Sequence, residues 1–169
     1  MLNKKGFTIA EVVMSFAMIT VILTTIVGFT VRYRDRVREE NIRNQLNDFK
    51  NTITKVVYDD IISGKIIRMD KCLVETNCIN MYDAEGNIHV FAQEVVSVTT
   101  GSTKKGIYIN YDGTRYMLPD SDINEGSQHM CYFDEEFRLD SYGDKFYTLV
   151  ISYKHLSFEE SYKIYLTIN

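Results

Sequence analysis

The chain has 169 residues, one proline and a formal net charge of −4, and a chain of this length forms one domain of ordinary size. Its composition excludes a collagen-like chain, a low-complexity disordered chain and a polybasic nucleic-acid binder. Three cysteines are too few for a disulfide scaffold of this length.

An apolar segment at residues 7–31 is the first predicted element. Seventeen of its 25 residues are Phe, Ile, Val, Leu, Met or Ala, and its only charge is Glu11. At about 1.5 Å per residue, the uncharged run 12–31 spans the ~30 Å hydrocarbon core of a bilayer. A buried core helix is the alternative, but a chain this small cannot wrap a helix that is apolar all round.

The segment lacks the pattern of a removable secretory signal. Its apolar run is longer than the roughly 7–15 residues usual for such signals, and no Ala-x-Ala-like site follows it. An acidic residue near its start is also wrong for a signal peptide. A retained membrane anchor fits better.

Charge counting bears on the orientation of this anchor. Two lysines precede the span and five arginines follow it, which by the positive-inside rule favours a cytoplasmic C-terminal side. This count argues against the topology that the next motif implies. The basic residues are Lys4, Lys5, Arg32, Arg34, Arg36, Arg38 and Arg43.

Residues 4–12 read KKGFTIAEV and open the apolar segment. They resemble the N-terminus of type IV pilins and pseudopilins, which has a short basic leader ending in Gly, then Phe-Thr, then Glu four residues after the Phe, then an apolar helix. The resemblance implies that a prepilin peptidase removes residues 1–6 by cutting between Gly6 and Phe7. It also implies N-methylation of Phe7, with Lys4 and Lys5 as the charges of the leader.

Glu11 carries the assembly role that this resemblance implies. The apolar helix holds the subunit in the membrane until it enters a helical filament, where Glu11 faces the amino-terminal charge of a neighbour. A buried carboxylate is costly unless it meets an opposite charge, and one such pair sets the register between subunits. Within one subunit, the positive end of the helix dipole also favours Glu11. The alternative is that Glu11 snorkels at the headgroup level.

Gly28 is the only glycine in the span. Many members of the pilin family carry proline near this point, where the helix bends or melts during assembly. Glycine also weakens a helix, by about 1 kcal/mol relative to Ala. Close packing between helices in a membrane is the equally weighted alternative.

The helical pattern continues through residues 32–63 as an amphipathic helix. No glycine or proline interrupts residues 29–63, and Gly64 is the predicted stop. One helix from about Phe7 to Ser63 is ~85 Å long at 1.5 Å per residue, so its first half must lie in lipid or in a fibre. Its predicted buried stripe is Ile42, Leu46, Phe49, Ile53 and Val56 or Val57.

The arginines after the span do not indicate a nucleic-acid binder. Acidic residues interleave with them, as in the i,i+4 pairs Arg36–Glu40 and Glu39–Arg43. Without Lys4, Lys5 and Glu11, the remainder of the chain carries 17 basic against 22 acidic residues. Its net charge does not support DNA as a partner.

Residues 64–169 are predicted to form a β-rich globular head. Asp112-Gly113 between two alternating runs is the strongest hairpin signal, and turns are predicted at 83–87 and 140–144. Together, these elements predict an α+β fold in which one long helix packs on an antiparallel sheet, as in pilins. The predicted strands are 88–91, 95–98, 106–111, 114–118 and a closing pair at 146–153 and 161–168.

Cys72 and Cys78 are six residues apart. Beyond a membrane, this spacing predicts a small disulfide loop, with two buried free thiols as the alternative. Cys131 is left over, and its pairing with either of the other two stays open. No second pair has the spacing of zinc ligands.

Acidic and amide residues at Asp120, Asp122 and Asn124 resemble the start of a calcium loop. The EF-hand pattern fails, because its bidentate Glu position falls on Cys131. A looser calcium site, as some pseudopilins hold, is the alternative to a solvated turn. No metal site and no cofactor is predicted.

The sequence does not indicate an enzyme. No metal-protease spacing, Gly-x-Ser-x-Gly motif or phosphate loop is present, and no base with an orienting partner is evident. The three histidines are His89, His129 and His155.

The sequence therefore predicts a minor pilin or pseudopilin of a type IV pilus, a competence pseudopilus or a type II secretion pseudopilus. Glu11 argues against the tip-capping pseudopilins that lack it. The expected partners are a prepilin peptidase, other pilin subunits, the inner-membrane assembly platform and membrane lipid. The expected location is the cell membrane, single-pass with an extracytoplasmic head, and then the filament or the cell surface. The alternative is a signal-anchored extracytoplasmic binding module that does not polymerise.

Overall fold

The computed structural model describes residues 8–97, 105–121, 131–143, 145–155 and 158–168. The chain divides into two compact units, Met1–Asn41 and Ile42–Asn169. One helix, α1, runs from Ile9 to Ile62 through both of them.

The C-terminal end of α1 lies where the sequence places it. Gly64 has a φ of +74°, a conformation that glycine adopts without a steric penalty. Its N–H donates to the carbonyl of Ile61 over 3.0 Å, and the N–H of Lys65 donates to the carbonyl of Asp60 over 3.0 Å. These bonds satisfy carbonyls of the last turn, and the predicted stop at Gly64 is confirmed.

The second unit contains the part of α1 that has a buried face. The predicted stripe is confirmed, with Val57 rather than Val56 as its fully buried member. The stripe adds one more turn that the sequence analysis did not include, at Ile61. Its buried residues are Ile42, Leu46, Phe49, Ile53, Val57 and Ile61.

Five strands form the first antiparallel sheet, in the order β1-β2-β3-β4-β5. Each strand pairs with the next strand of the sequence, so the sheet is a simple meander. Their bounds are β1 Arg68–Lys71, β2 Cys78–Tyr82, β3 Ile88–Ser97, β4 Lys105–Tyr111 and β5 Thr114–Met117.

Four further strands form a second antiparallel sheet around β8. Strand β9 pairs along the whole of β8, while β6 and β7 pair with different stretches of β8, at its C-terminal and N-terminal ends. The bounds are β6 Cys131–Phe133, β7 Arg138–Tyr142, β8 Phe146–His155 and β9 Phe158–Thr167.

The predicted α+β architecture is confirmed, with the helix packed on antiparallel β-structure. The described strands divide between two sheets rather than forming one. Both sheets contribute side chains to the core beneath the helix stripe, and along β9 the buried residues alternate with exposed ones. Besides the helix, that core includes Ile79, Met81, Phe91, Ile109, Phe137, Leu149, Ile151, Ile164 and Leu166.

The predicted Asp112-Gly113 hairpin joins β4 to β5. Both residues have positive φ, +49° and +80°, as a type I′ turn requires. The predicted closing pair is also confirmed as the β8–β9 hairpin. The two runs predicted at 88–91 and 95–98 are not separate strands, because β3 runs without a break from Ile88 to Ser97; residue 98 lies outside the described residues.

Candidate functional site

The first turn of α1 contains a closed set of hydrogen bonds between Thr8 and Glu11. Oε2 of Glu11 accepts from the Thr8 backbone N–H over 2.8 Å and from the Thr8 hydroxyl over 2.9 Å. The Glu11 N–H donates back to Thr8 Oγ1 over 3.4 Å. This is a capping box, in which an N-cap Thr and a Glu three residues later satisfy the free donors of the helix end.

Glu11 was predicted from the sequence as a functional residue, but its bond to Thr8 was not predicted. The signal was available, because Thr-x-x-Glu before an apolar run is the sequence signature of a capping box. Glu11 therefore has a partner within its own chain.

Apolar side chains cover the first half of α1 on every side. From Ile9 to Val31 the large aliphatic and aromatic side chains are exposed among the residues that the structure describes. The helix is long and apolar enough to cross a membrane by length and composition.

The hydroxyl groups within this apolar stretch bond to the helix itself. Each hydroxyl donates to a backbone carbonyl one turn earlier, at distances of 2.7–3.0 Å. Such bonding removes the need for water at these positions, which is the condition for a polar group in hydrocarbon. The donors are Ser15, Thr20, Thr24, Thr25 and Thr30.

Several predicted site residues lie outside the described residues. These are the leader charges Lys4 and Lys5, the cleavage residues Gly6 and Phe7, and the calcium candidates Asp122 and Asn124.

The third calcium candidate, Asp120, is described. It has a φ of +49°, and its carbonyl accepts the N–H of Cys131 over 3.1 Å. Among the residues that the structure describes, no group of three or more His, Cys, Asp or Glu side chains could hold a metal ion.

A disulfide joins Cys72 and Cys78, whose Cα atoms are 5.4 Å apart. It closes the loop between β1 and β2. Cys131 is free and buried, and burial raises the pKa of its thiol to about 12. Because the thiolate is the reactive form, this cysteine is an inert core residue.

A charged network joins the end of α1 to the β4–β5 turn. The ammonium group of Lys65 lies 3.3 Å from an Asp60 carboxylate oxygen and 3.0 Å from one of Asp112. The same Asp60 oxygen accepts the hydroxyl of Tyr111 over 2.7 Å. This network was not predicted from the sequence, because Lys65 and Asp112 are 47 residues apart.

His89 extends the network to the β2–β3 turn. Its Nδ1 lies 3.0 Å from Asp112 Oδ1, and its Nε2 lies 3.7 Å from Asp83 Oδ2. The His89 contact and then the Lys65 contact hold the pKa of Asp112 below its usual value. The Asn87 side chain does the same for the pKa of Asp83. These contacts join the end of α1, the β2–β3 turn and the β4–β5 turn. We call this set of contacts the clamp.

The clamp predicts acid sensitivity of the head. A carboxylate whose pKa is depressed in the folded state contributes stability above its unfolded pKa, near 3.9 for Asp, and loses it as the pH falls below that value. We therefore expect the melting temperature of Asp112→Asn to depend less on pH than that of the wild type below about pH 4. Asp59→Asn, at an exposed helix position, is the control. If the melting temperatures of the wild type and Asp112→Asn changed by the same amount with pH, the result would contradict the clamp.

No protein-family model, curated protein or solved structure matches the chain.

Proposed function

We propose that this chain is a structural subunit of a type IV filament, a minor pilin or pseudopilin that is processed by a prepilin peptidase and assembled through its N-terminal helix. One observation carries the proposal. A single carboxylate, Glu11, stands near the start of α1, three residues after Thr8 of the Lys-Lys-Gly-Phe-Thr motif, and the next 20 residues are uncharged.

The exposed apolar half of α1 is suited to two successive environments, first the membrane and then the filament. In the membrane, its side chains meet lipid, and its hydroxyls need no outside partner. In a filament, the same surface packs against the helices of neighbouring subunits, so the exchange of lipid for protein leaves no polar group unsatisfied. In both environments, lipid or another subunit covers these exposed apolar side chains.

Capping and assembly can use different oxygens of Glu11. Both bonds from Thr8 go to Oε2, and a carboxylate accepts at both oxygens. Oε1 can therefore accept from the methylated amino group of Phe7 on a neighbouring subunit. In this arrangement the capping box orients the carboxylate before assembly, and the intersubunit pair selects one axial offset.

The disulfide between Cys72 and Cys78 supports an extracytoplasmic head, because disulfides persist in oxidising compartments. This argues against the orientation that the arginine count favours. The proposed location is a single-pass position in the cell membrane and then a type IV pilus, a competence pseudopilus or a type II secretion pseudopilus. The assembly platform and the other subunits of that system are the proposed partners.

A glycine substitution tests the cleavage step. In a host with an active prepilin peptidase, we expect Gly6→Val to block removal of residues 1–6, since the peptidase must recognise the small residue before the cut. The measurement is the N-terminal peptide of the membrane-bound chain by mass spectrometry. Gly28→Ala is the matched control, because a methyl group there meets no atom within 4 Å.

Wild type and Gly28→Ala are expected to begin at Phe7, and Gly6→Val at the leader. Leader residues retained on the wild type would instead favour the anchored binding module.

A further inference from the structure

The disulfide loop presents two aliphatic side chains to solvent. Leu73 and Val74 are 101% and 94% exposed, the highest exposed fractions among the large hydrophobic residues described. We call this pair the aliphatic tip. Adjacent exposed aliphatic residues at a loop end lower the solubility of a protein unless a binding partner covers them.

The base of the loop is held rigidly. Besides the disulfide, the N–H of Cys72 donates to the carbonyl of Cys78 over 3.2 Å. Asn77 accepts the N–H of Gln93 on its carbonyl over 2.9 Å and the N–H of Phe137 on Oδ1 over 3.0 Å. A tip fixed in this way loses little conformational entropy on binding.

A cleft at one end of the second sheet, where β7, β8 and β9 are neighbours, is lined by exposed aromatic residues. Tyr142, Phe146 and Tyr165 are 65%, 56% and 70% exposed. They line a cleft of about 360 Å³, which we call the aromatic cleft. An engineered apolar cavity of about 150 Å³ holds benzene, so the cleft has room for two aliphatic side chains.

The charges beside the two features are opposite. Glu75 follows the aliphatic tip and is exposed. Lys163 is exposed on β9, two residues before Tyr165, and strand alternation places both on the same face of the sheet. A tip that enters the cleft from another molecule can bring Glu75 near Lys163.

We propose that the aliphatic tip of one copy of this chain docks into the aromatic cleft of the next copy. Two complementary patches lie at different places on one chain, so the contact is head-to-tail, and such contacts build open polymers when the rotation does not close. The inference rests on the proposed function and deepens it, because it assigns a contact between neighbouring heads.

The contact is too small to join free subunits. Stable interfaces bury at least about 1,000 Å², and one loop tip buries less. Anchoring the chains in one membrane raises their effective concentration, which allows a weak contact to form. We therefore expect association of membrane-anchored chains.

Complementation between two variants tests the head-to-tail geometry. The tip variant carries Leu73→Ser and Val74→Ser, and the cleft variant carries Phe146→Ser and Tyr165→Ser. Full chains are placed in lipid vesicles and treated with a carbodiimide, which joins a carboxylate to a nearby amine. Mass spectrometry then measures the peptide in which Glu75 is linked to Lys163.

Wild-type chains are expected to give a ladder of cross-linked oligomers that contains this peptide. Each variant alone is expected to give at least about tenfold less of it, because the apolar burial is lost. An equal mixture of the two variants retains one intact tip and one intact cleft per pair. It is expected to give dimers and no longer species.

Val95→Ser is the matched control, since Val95 is 50% exposed on β3 and belongs neither to the aliphatic tip nor to the lining of the aromatic cleft. A second test reverses the charges. Glu75→Lys alone is expected to remove the cross-link between residues 75 and 163. A mixture of Glu75→Lys with Lys163→Glu is expected to restore a carboxylate–amine link between tip and cleft.

A ladder that persists in the tip variant would overturn the proposal, as would a mixture that yields no dimer. Glu75 linked only to other lysines would do the same. The vesicle experiment needs no leader cleavage. Failure here with a chain that begins at Phe7 in filaments would therefore reject the head contact and leave the proposed function intact.

Discussion

Replacing Phe137 with alanine is expected to lower the free energy of unfolding of the head by about 3–5 kcal/mol, the usual cost of truncating a buried phenylalanine. Phe137 is fully buried. Its ring lies 5.7 Å from that of Phe91 in the first sheet and 5.2 Å from that of Phe133 in the second. The substitution removes the aromatic contact between the two sheets. A loss of this size is a large part of the ~5–15 kcal/mol that stabilises a typical domain.

Urea unfolding of the full chain in detergent micelles measures this effect. Ten of the 12 tyrosines lie within residues 64–169 and the chain has no tryptophan, so tyrosine fluorescence reports mainly on the head. Tyr58→Ala is the control, because Tyr58 is an aromatic residue of α1 that is 46% exposed. Phe137→Leu is expected to lose less than Phe137→Ala. A loss below about 1 kcal/mol in Phe137→Ala would show that the two sheets do not depend on this ring.

Removing the charge of Glu11 is expected to abolish incorporation into filaments while the helix cap is retained. Glutamine serves in a capping box as glutamate does, so Glu11→Gln keeps the bonds to Thr8 and loses only the charge. If the charge sets the register between subunits, Glu11→Gln and Glu11→Ala fail alike. The measurement is the amount of each variant in sheared filaments relative to the membrane.

Thr8→Ala provides the opposite change. It removes the cap, at a cost of about 0.5–2 kcal/mol of helix stability, and keeps the carboxylate. We expect Thr8→Ala to enter filaments. The reverse pattern, with Glu11→Gln incorporated and Thr8→Ala excluded, would mean that Glu11 acts only as a helix cap.

Local sequence signals predicted α1 and the best of the hairpins. The spacing of Ile42, Leu46 and Phe49 marks a helix face whatever it packs against. Gly64 and Asp112-Gly113 mark places where the backbone needs positive φ. These features depend on residues that are close in the chain, so one sequence is enough to find them.

The rest of the head depends on partners far away in the chain. Strand β3 was predicted as two pieces because Gln93 and Glu94 interrupt its apolar pattern. In the structure, Gln93 bonds the side chain of Asn77. Glu94 accepts from Asn110 over 2.5 Å and from Arg115 over 2.8 Å. Those contacts satisfy the polar groups within a sheet.

Short or polar strands were missed for a similar reason. β1 is Arg-Met-Asp-Lys, with only Met69 buried, and β6 has three residues. Neither has enough alternation to predict a strand. The division into two sheets depends on which strands pair. A local sequence pattern does not indicate pairing between residues that are far apart in the chain.

The candidate site was predicted in part. Glu11 was identified by its charge within an apolar run, while its capping role became evident from the bonds to Thr8. The network of Lys65, His89 and Asp112 had no local signal, because its members come from three separate turns. The disulfide partners Cys72 and Cys78 were named from their short spacing.

The N-terminal mass of the chain from its native membrane shows whether it is a processed filament subunit, as we propose. We expect a mature chain that begins at Phe7 and carries one methyl group on its amino nitrogen. A chain that keeps Lys4, Lys5 and Gly6 in a host with an active prepilin peptidase would contradict it.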